Sequence, residues 1–279
     1  MSLALVSFLL VFLTNPPPPT QIHSGQAIVE VRTDIGWVGP GQAFNLIVLL
    51  TPEEGWHVYW KYSGASGTPT EIEVNAPEGF TVGKPTFPRP SLFKGKEGTT
   101  YGYDKQCAIF IPVMSPKILQ TDEVVFEVNT HWLACKKICV IGAQEQVVKI
   151  KTNKTIQGPP HRDMRLKRWK NLLPKKLSEL SKATQLVSNN QIEITGTASE
   201  TTISFIGVEQ RGVRFLGTNQ LRLEKDHFAL TIPIELDYVA ASAESFTIEG
   251  LLLLSGNESD PCYVVQVVAK PDTTKKQRN

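Results

Sequence analysis

Two alternating runs on either side of a cysteine pair constrain this chain more than any other feature. Glu123-Val-Val-Phe-Glu-Val-Asn-Thr-His131 and Gln144-Glu-Gln-Val-Val-Lys-Ile-Lys151 alternate apolar and polar residues, as half-buried β-strands do. Between them lies Trp132-Leu-Ala-Cys-Lys-Lys-Ile-Cys139, in which three residues separate the two cysteines. Strand, short loop, strand is the text of a hairpin, and it predicts a close thiol pair, Cys135 and Cys139, at a strand end.

The surrounding text is of the same kind. Ala27–Arg32, Phe44–Leu50, Gly55–Trp60, Glu71–Val74 and Ala108–Val113 read as strands punctuated by Gly and Pro, with Pro112 best placed at an edge or strand end. Strands at this spacing predict an all-β, immunoglobulin-like β-sandwich with the dithiol on a hairpin. Lys84–Gly98 holds three prolines and little period, and reads as an irregular, mobile loop of the functional kind. His161–Val187 is the one helical text. Leu166, Trp169, Leu173, Leu177 and Leu180 step by three or four, and Pro174 should divide them into two helices. From Gln191 to Val268 short β runs return. The expected organisation is a leader and Pro-rich linker at 1–25, a first β domain at 26–152, a linker with short helices at 153–188, a second, smaller β domain at 189–271 and a polar tail at 272–279.

The net charge of +2 gives no push towards nucleic acid. Arg and Lys in His161–Lys170 alternate with apolar positions and read as a solvated helix face. Leu3–Leu13 is an eleven-residue apolar run followed by Pro16–Pro19. It is too short to span a bilayer comfortably and matches the core of a secretory signal. The expectation is an exported protein whose body is soluble and whose only membrane contact is that leader, if uncleaved. Asn153-Lys-Thr and Asn257-Glu-Ser match the glycosylation acceptor pattern, which matters only on a eukaryotic secretory route.

Three chemistries compete for Cys135 and Cys139. Thiol–disulfide exchange needs an attacking thiolate and a second thiol to resolve the mixed disulfide. Lys136 and Lys137 inside the loop favour a thiolate. A static clip is the second reading, although closing so short a loop removes little unfolded-state entropy. Ligation of Cu(I) or zinc with His131 is the third, but no second Cys/His pair at ligand spacing accompanies it; a clip or a copper site would make the chain a non-enzymatic binding or scaffold module. Cys107 and Cys262 fall in β text of different predicted domains, as an interdomain disulfide or as two buried thiols. Trp56, Tyr59 and Trp60 could bind a ligand, but an aromatic strand is more often core.

Three motifs in order then carry a resemblance. Gly55-Trp-His-Val-Tyr-Trp-Lys-Tyr-Ser-Gly-Ala-Ser-Gly-Thr-Pro69, Tyr101-Gly-Tyr-Asp104 and Trp-Leu-Ala-Cys-Lys-Lys-Ile-Cys139 resemble the periplasmic N-terminal domain of the DsbD thiol:disulfide interchange proteins, and more closely the ScsB-related branch. The resemblance covers roughly residues 26–152 strongly, and residues from 191 onward more weakly. It implies dithiol exchange with no cofactor beyond the cysteine pair. The electron donor would be a thioredoxin-like protein or membrane carrier, and the acceptors periplasmic disulfide-containing proteins. It implies that Cys139 enters the mixed disulfide and Cys135 resolves it. Ser91–Lys96 falls where the family has a cap, and Phe93 matches its shielding aromatic. Trp132, Tyr101, Tyr103, Trp56 and Tyr59 are the expected supporting residues. Ser91 and Leu92 stand where the family has acidic residues beside the aromatic, so the cap is not expected to handle protons in the family's way. Full-length members continue into a membrane domain and a thioredoxin domain that this sequence does not reach, so the electrons are expected to come from a separate protein.

Overall fold

The structure is a computed structural model. It describes residues 25–155 and 166–270, except 189, 200–201, 209–211, 218, 238–239, 241 and 258–259. The leader run Leu3–Leu13, Pro16–Pro19, residues 161–165 of the basic stretch and the tail 272–279 lie outside the described residues.

The N-terminal half forms two facing antiparallel sheets. Its strands are β1 (Ala27–Thr33), β2 (Trp37–Val38), β3 (Ala43–Pro52), β4 (His57–Gly64), β5 (Glu71–Asn75), β6 (Thr81–Val82), β7 (Ser91–Gly95), β8 (Gly98–Tyr103), β9 (Cys107–Met114), β10 (Glu123–Cys135) and β11 (Cys139–Thr152). One sheet runs β1-β3-β9-β6. The other runs β2-β11-β10-β4-β8-β7, with β5 also on β10 and the short β2 joining β11 in parallel. This is the immunoglobulin-like sandwich that the alternation predicts. β10 shows why: Val124, Phe126, Val128, Trp132 and Ala134 point into the core, while Glu123, Val125, Glu127 and His131 face solvent. Pro112 is exposed on β9, near the sheet edge where the two-residue β6 pairs with Val113 and Met114 and Thr86 bridges Phe110.

Residues 84–98 differ from the expectation of an irregular loop. Ser91–Gly95 is strand β7, which pairs with β8 from Ser91↔Gly102 to Gly95↔Gly98 around a Lys96-Glu97 turn. The prolines act only on 85–90, where Phe87, Pro88, Arg89 and Pro90 are buried; beyond them a Gly-x-x-Gly turn closes a hairpin.

The predicted pair of helices over 161–187 is also corrected among the described residues. Only Lys167–Lys170 (α1) is α-helical. β12 (Lys175–Lys176), a 3₁₀ turn at Leu177–Glu179 and β13 (Thr184–Ser188) follow. Pro174 cuts the run into pieces too short to stand alone as helices, and two different cores divide the stripe. Leu166, with Trp169 and Leu173 beside it, packs on Ile47, Leu49, Ala108 and Phe110, the outer face of β3 and β9. Leu180 and Leu177 belong instead to the C-terminal core.

That C-terminal half comprises β12, β13, β14 (Gln191–Thr197), β15 (Ser204–Val208), β16 (Val213–Phe215), β17 (Gln220–Glu224), β18 (His227–Leu236), β19 (Phe246–Leu253) and β20 (Cys262–Ala269). One sheet runs β12-β20-β19-β15; the other runs β13-β14-β18-β16 with β17 also on β18. The first of these is a shared wall. Ile248 and Leu252 of β19 face the C-terminal core, while Leu251 and Leu253 join Ile206 and Cys262 in the N-terminal core. Burial on both faces explains why Leu251–Leu254 is a continuous apolar run rather than an alternating one.

Candidate functional site

The long β10–β11 ladder runs in unbroken register from Glu123↔Lys151 to Cys135↔Cys139. The two cysteines are therefore facing residues at the hairpin tip. They are joined as a disulfide, with Cα atoms 4.1 Å apart and Lys136-Lys137-Ile138 between them. The two sulfurs have different surroundings: Cys135 is 4% exposed, whereas Cys139 lies open to solvent. Ile138 and Ile141 flank Cys139 and are 68% and 82% exposed. Lys136 Nζ donates to the carbonyl of Glu54 at 3.3 Å, tying the tip to the turn before β4.

The start of β4 lies on the other side of β10, with His57 paired to Cys135 and Val58 to Ala134. Side chains two apart on a strand share a face, so His57 and Tyr59 stand on the cysteine side and Val58 and Trp60 point into the core. The Tyr59 hydroxyl donates to Cys135 Sγ at 3.4 Å. Burial, with Glu97 nearby, pushes the Tyr59 phenol above its ordinary value despite a hydrogen bond from Ser66, so the group stays a protonated donor. Gly67, at φ +90°, is what lets the ring sit there: a Cβ at that position would lie 2.3 Å from Tyr59 Cζ.

The β7–β8 hairpin borders the site on the His57 side. Phe93 stacks on His57 with ring centroids 4.5 Å apart and planes 19° from parallel. His57 in turn meets Tyr59 edge-on at 5.4 Å. Phe93 is thus linked to the disulfide through His57, which pairs with Cys135. Burial lowers the His57 pKa from its ordinary value, with the Asp104 carboxylate pulling the other way. No reading of the sequence singled out His57; the usable signal was its position two residues before Tyr59 in an alternating strand.

The structure brings together Cys135, Cys139, Tyr59 and Phe93 of the predicted residues, and places the other four on the core side. Trp132 is buried, donates from Nε1 to the carbonyl of Gly25 at 2.8 Å, and lies against Gly142. Tyr101 packs against Trp60 and Tyr62. Tyr103 is buried and donates to the carbonyl of Pro88 at 2.8 Å. Trp56 is half-buried against the core. His131 lies four residues from Cys135 on an extended strand, about 13 Å away at ~3.3 Å per residue. Among the described residues no three His, Cys, Asp or Glu side chains cluster as a metal site would require. Cys107 and Cys262 are free, buried thiols in the same core cluster.

Among the described residues no helix is long and apolar enough to cross a membrane. No curated protein matches the sequence. The crystal structure of the N-terminal periplasmic domain of ScsB from Proteus mirabilis is similar in fold, with a TM-score of 0.56 and 17% identity over 93% of this chain and 96% of that one. The titin domains z1z2 in complex with telethonin also align, at 8% identity over 90% of this chain and 98% of that one, but with a TM-score of only 0.21. Residues 26–151 match the family model described as thiol:disulfide interchange protein DsbD, N-terminal. That segment, which holds both cysteines of the hairpin and Phe93, is similar to the N-terminal domains of the DsbD thiol:disulfide interchange proteins.

Proposed function

We propose that the chain is an exported thiol:disulfide interchange module that passes electrons through Cys135 and Cys139, with no cofactor beyond that pair. The observation that carries this reading is the asymmetry of the disulfide, one sulfur open and the other buried beneath a tyrosine hydroxyl.

In the reducing half-cycle a donor thiolate attacks the open Sγ of Cys139. The Cys135–Cys139 bond breaks and Cys135 leaves as a thiolate, which the Tyr59 hydroxyl stabilises by its hydrogen bond. A second donor thiol then attacks the mixed disulfide and leaves Cys139 reduced; the donor becomes a disulfide and two electrons have moved. In the oxidising half-cycle Cys139 thiolate attacks an acceptor disulfide. Cys135 thiolate next attacks Cys139 Sγ, restoring the disulfide and releasing the acceptor as a dithiol. A thioredoxin-like protein or membrane carrier serves as donor, and periplasmic disulfide-containing proteins serve as acceptors. Phe93, lying on His57, acts as a gate that narrows the approach to the pair on the side of the buried Cys135, where His57 and Tyr59 lie.

The test is mixed-disulfide trapping. Cys135→Ala should accumulate partners covalently held on Cys139, and Cys139→Ala should trap none. Equal trapping by both variants, or by neither, would overturn the assignment. A redox titration separates exchange from a static clip: an exchanging pair titrates reversibly at roughly −120 to −270 mV, whereas a structural disulfide resists reduction below about −300 mV.

A further inference from the structure

The root of the cap is held by the C-terminal half of the molecule. Arg89 lies four residues before Phe93 and is only 7% exposed. Its Nη2 donates to the carbonyl of Ser255 at 2.8 Å, and its Nη1 reaches the carbonyl of Asp260 at 3.5 Å. Both carbonyls belong to the connection between β19 and β20, which is itself braced. Ser255 Oγ donates to Asp260 Oδ2 at 2.5 Å, and the Asn257 amide donates to Ser255 Oγ at 3.1 Å. The grip is therefore on a shaped turn, not on a free loop.

From that grip the chain runs stiffly to the gate. Pro88 and Pro90 flank Arg89 with fixed φ, and Tyr103 at the end of β8 closes the base of the hairpin on the Pro88 carbonyl. Among the described residues β7 is an edge strand that pairs with β8 alone. The position of Phe93 over His57 thus depends on β8 on one side and on Arg89 on the other. Lys61 of β4 and Glu249 of β19 form an ion pair across the same interface, so the strand beneath the cap and the root of the cap are referenced to one wall.

We infer that Arg89 is a positioning residue for the exchange site: by fixing the cap root to the turn between β19 and β20, it holds Phe93 closed over His57. The C-terminal sheets are then part of the gate, and any partner that disturbs the turn at Ser255 and Asp260 loosens it. This inference rests on the reading of Phe93 as a gate.

The experiment measures the rate at which dithiothreitol, a reductant small enough to report access alone, reduces the Cys135–Cys139 disulfide of the full chain at fixed pH. Arg89→Met should be reduced roughly ten-fold faster than the unsubstituted protein, the factor that one charged hydrogen bond carries. Arg89→Lys keeps the cation but not the fork and should fall between the two. Phe93→Ala should also be fast, and adding Arg89→Met to it should change nothing further, which a merely structural arginine would not produce. Should Arg89→Met fail to fold, Arg89→Lys carries the test. Arginine variants at the unsubstituted rate beside a fast Phe93→Ala would overturn the clamp and leave the gate standing. Acceleration by Arg89→Met that persists in full on the Phe93→Ala background would also overturn it. Phe93→Ala at the unsubstituted rate would overturn the gate, and the clamp with it.

Discussion

The molecule holds two pairs of cysteines, and what surrounds each pair decides its chemistry. Cys135 and Cys139 terminate a hairpin, face each other in register, and leave one sulfur in solvent. Cys107 and Cys262 come from β9 and β20, lie in one apolar cluster, and are both out of reach of solvent. Burial pushes the Cys262 thiol up to about 11 despite the opposing pull of Arg89, and raises Cys107 further. A thiol that cannot ionise cannot attack. An oxidising compartment can therefore cycle the first pair and leave the second reduced. The difference does not follow the two halves of the molecule: the N-terminal sandwich displays the hairpin tip and also buries Cys107 on β9, and the shared wall buries Cys262 on β20, each as a small apolar side chain.

The largest effect that bears on this contrast is native-state alkylation. In the reduced protein at neutral pH, Cys139 should react at least about a hundred-fold faster than Cys107 or Cys262, as read by mass spectrometry of labelled peptides. Comparable rates would dissolve the distinction. Next comes stability. Cys107→Ser puts a hydroxyl into an apolar cluster and should cost about 1–3 kcal/mol in denaturant unfolding. Cys139→Ser, compared with the reduced unsubstituted protein, should cost less than about 0.5 kcal/mol because the site is exposed. A cost at Cys139 matching that at Cys107 would make the open cysteine structural.

Tyr59→Phe sharpens the comparison inside the active pair. It removes the donor to Cys135 Sγ and should slow reduction by dithiothreitol about ten-fold with the melting temperature unchanged; an unchanged rate would remove Tyr59 from the mechanism. The smallest effect is the pH dependence of His57. Its folded pKa lies below its unfolded value, so the unfolded chain takes up the proton first as pH falls. The stability tied to the neutral ring is complete above pH ~6.5 and declines below it. Solvent screening of a half-buried ring keeps the loss under about 1 kcal/mol. Unfolding midpoints at pH 8 and about pH 5.5 should differ more for the unsubstituted protein than for His57→Gln; equal differences would place the titration elsewhere.

The hairpin was legible because period-two alternation encodes which residues face the core, and Val124–Ala134 keeps that code apart from the exposed Val125 and the buried Thr130. The site was legible only in part. Trp56, Tyr59, Tyr101, Tyr103 and Trp132 are all aromatic and all near the motif, and type and proximity do not reveal orientation. Strand parity separates Tyr59 from Trp60 within β4, but the facing of Tyr101 and Tyr103 follows from a pairing between β4 and β8 that shifts register after Tyr59. His57 escaped notice because its role arises from a stack with a residue thirty-six positions away. The stripe from Leu166 to Leu180 misled for a related reason. Spacing by three or four marks residues that can share a helix face, yet here Leu166 and Leu180 enter separate cores on either side of Pro174.

The facing register of Cys135 and Cys139 has a consequence for timing. Twelve further residue pairs, from Glu123↔Lys151 to Ala134↔Val140, hold the two strands together, and none of them needs the sulfur–sulfur bond. Breaking that bond leaves each thiol beside the other at an effective concentration that no free partner matches. Under the proposed exchange, a partner captured on Cys139 would accordingly be displaced soon after it arrives, its stay set by the hairpin rather than by the strength of docking.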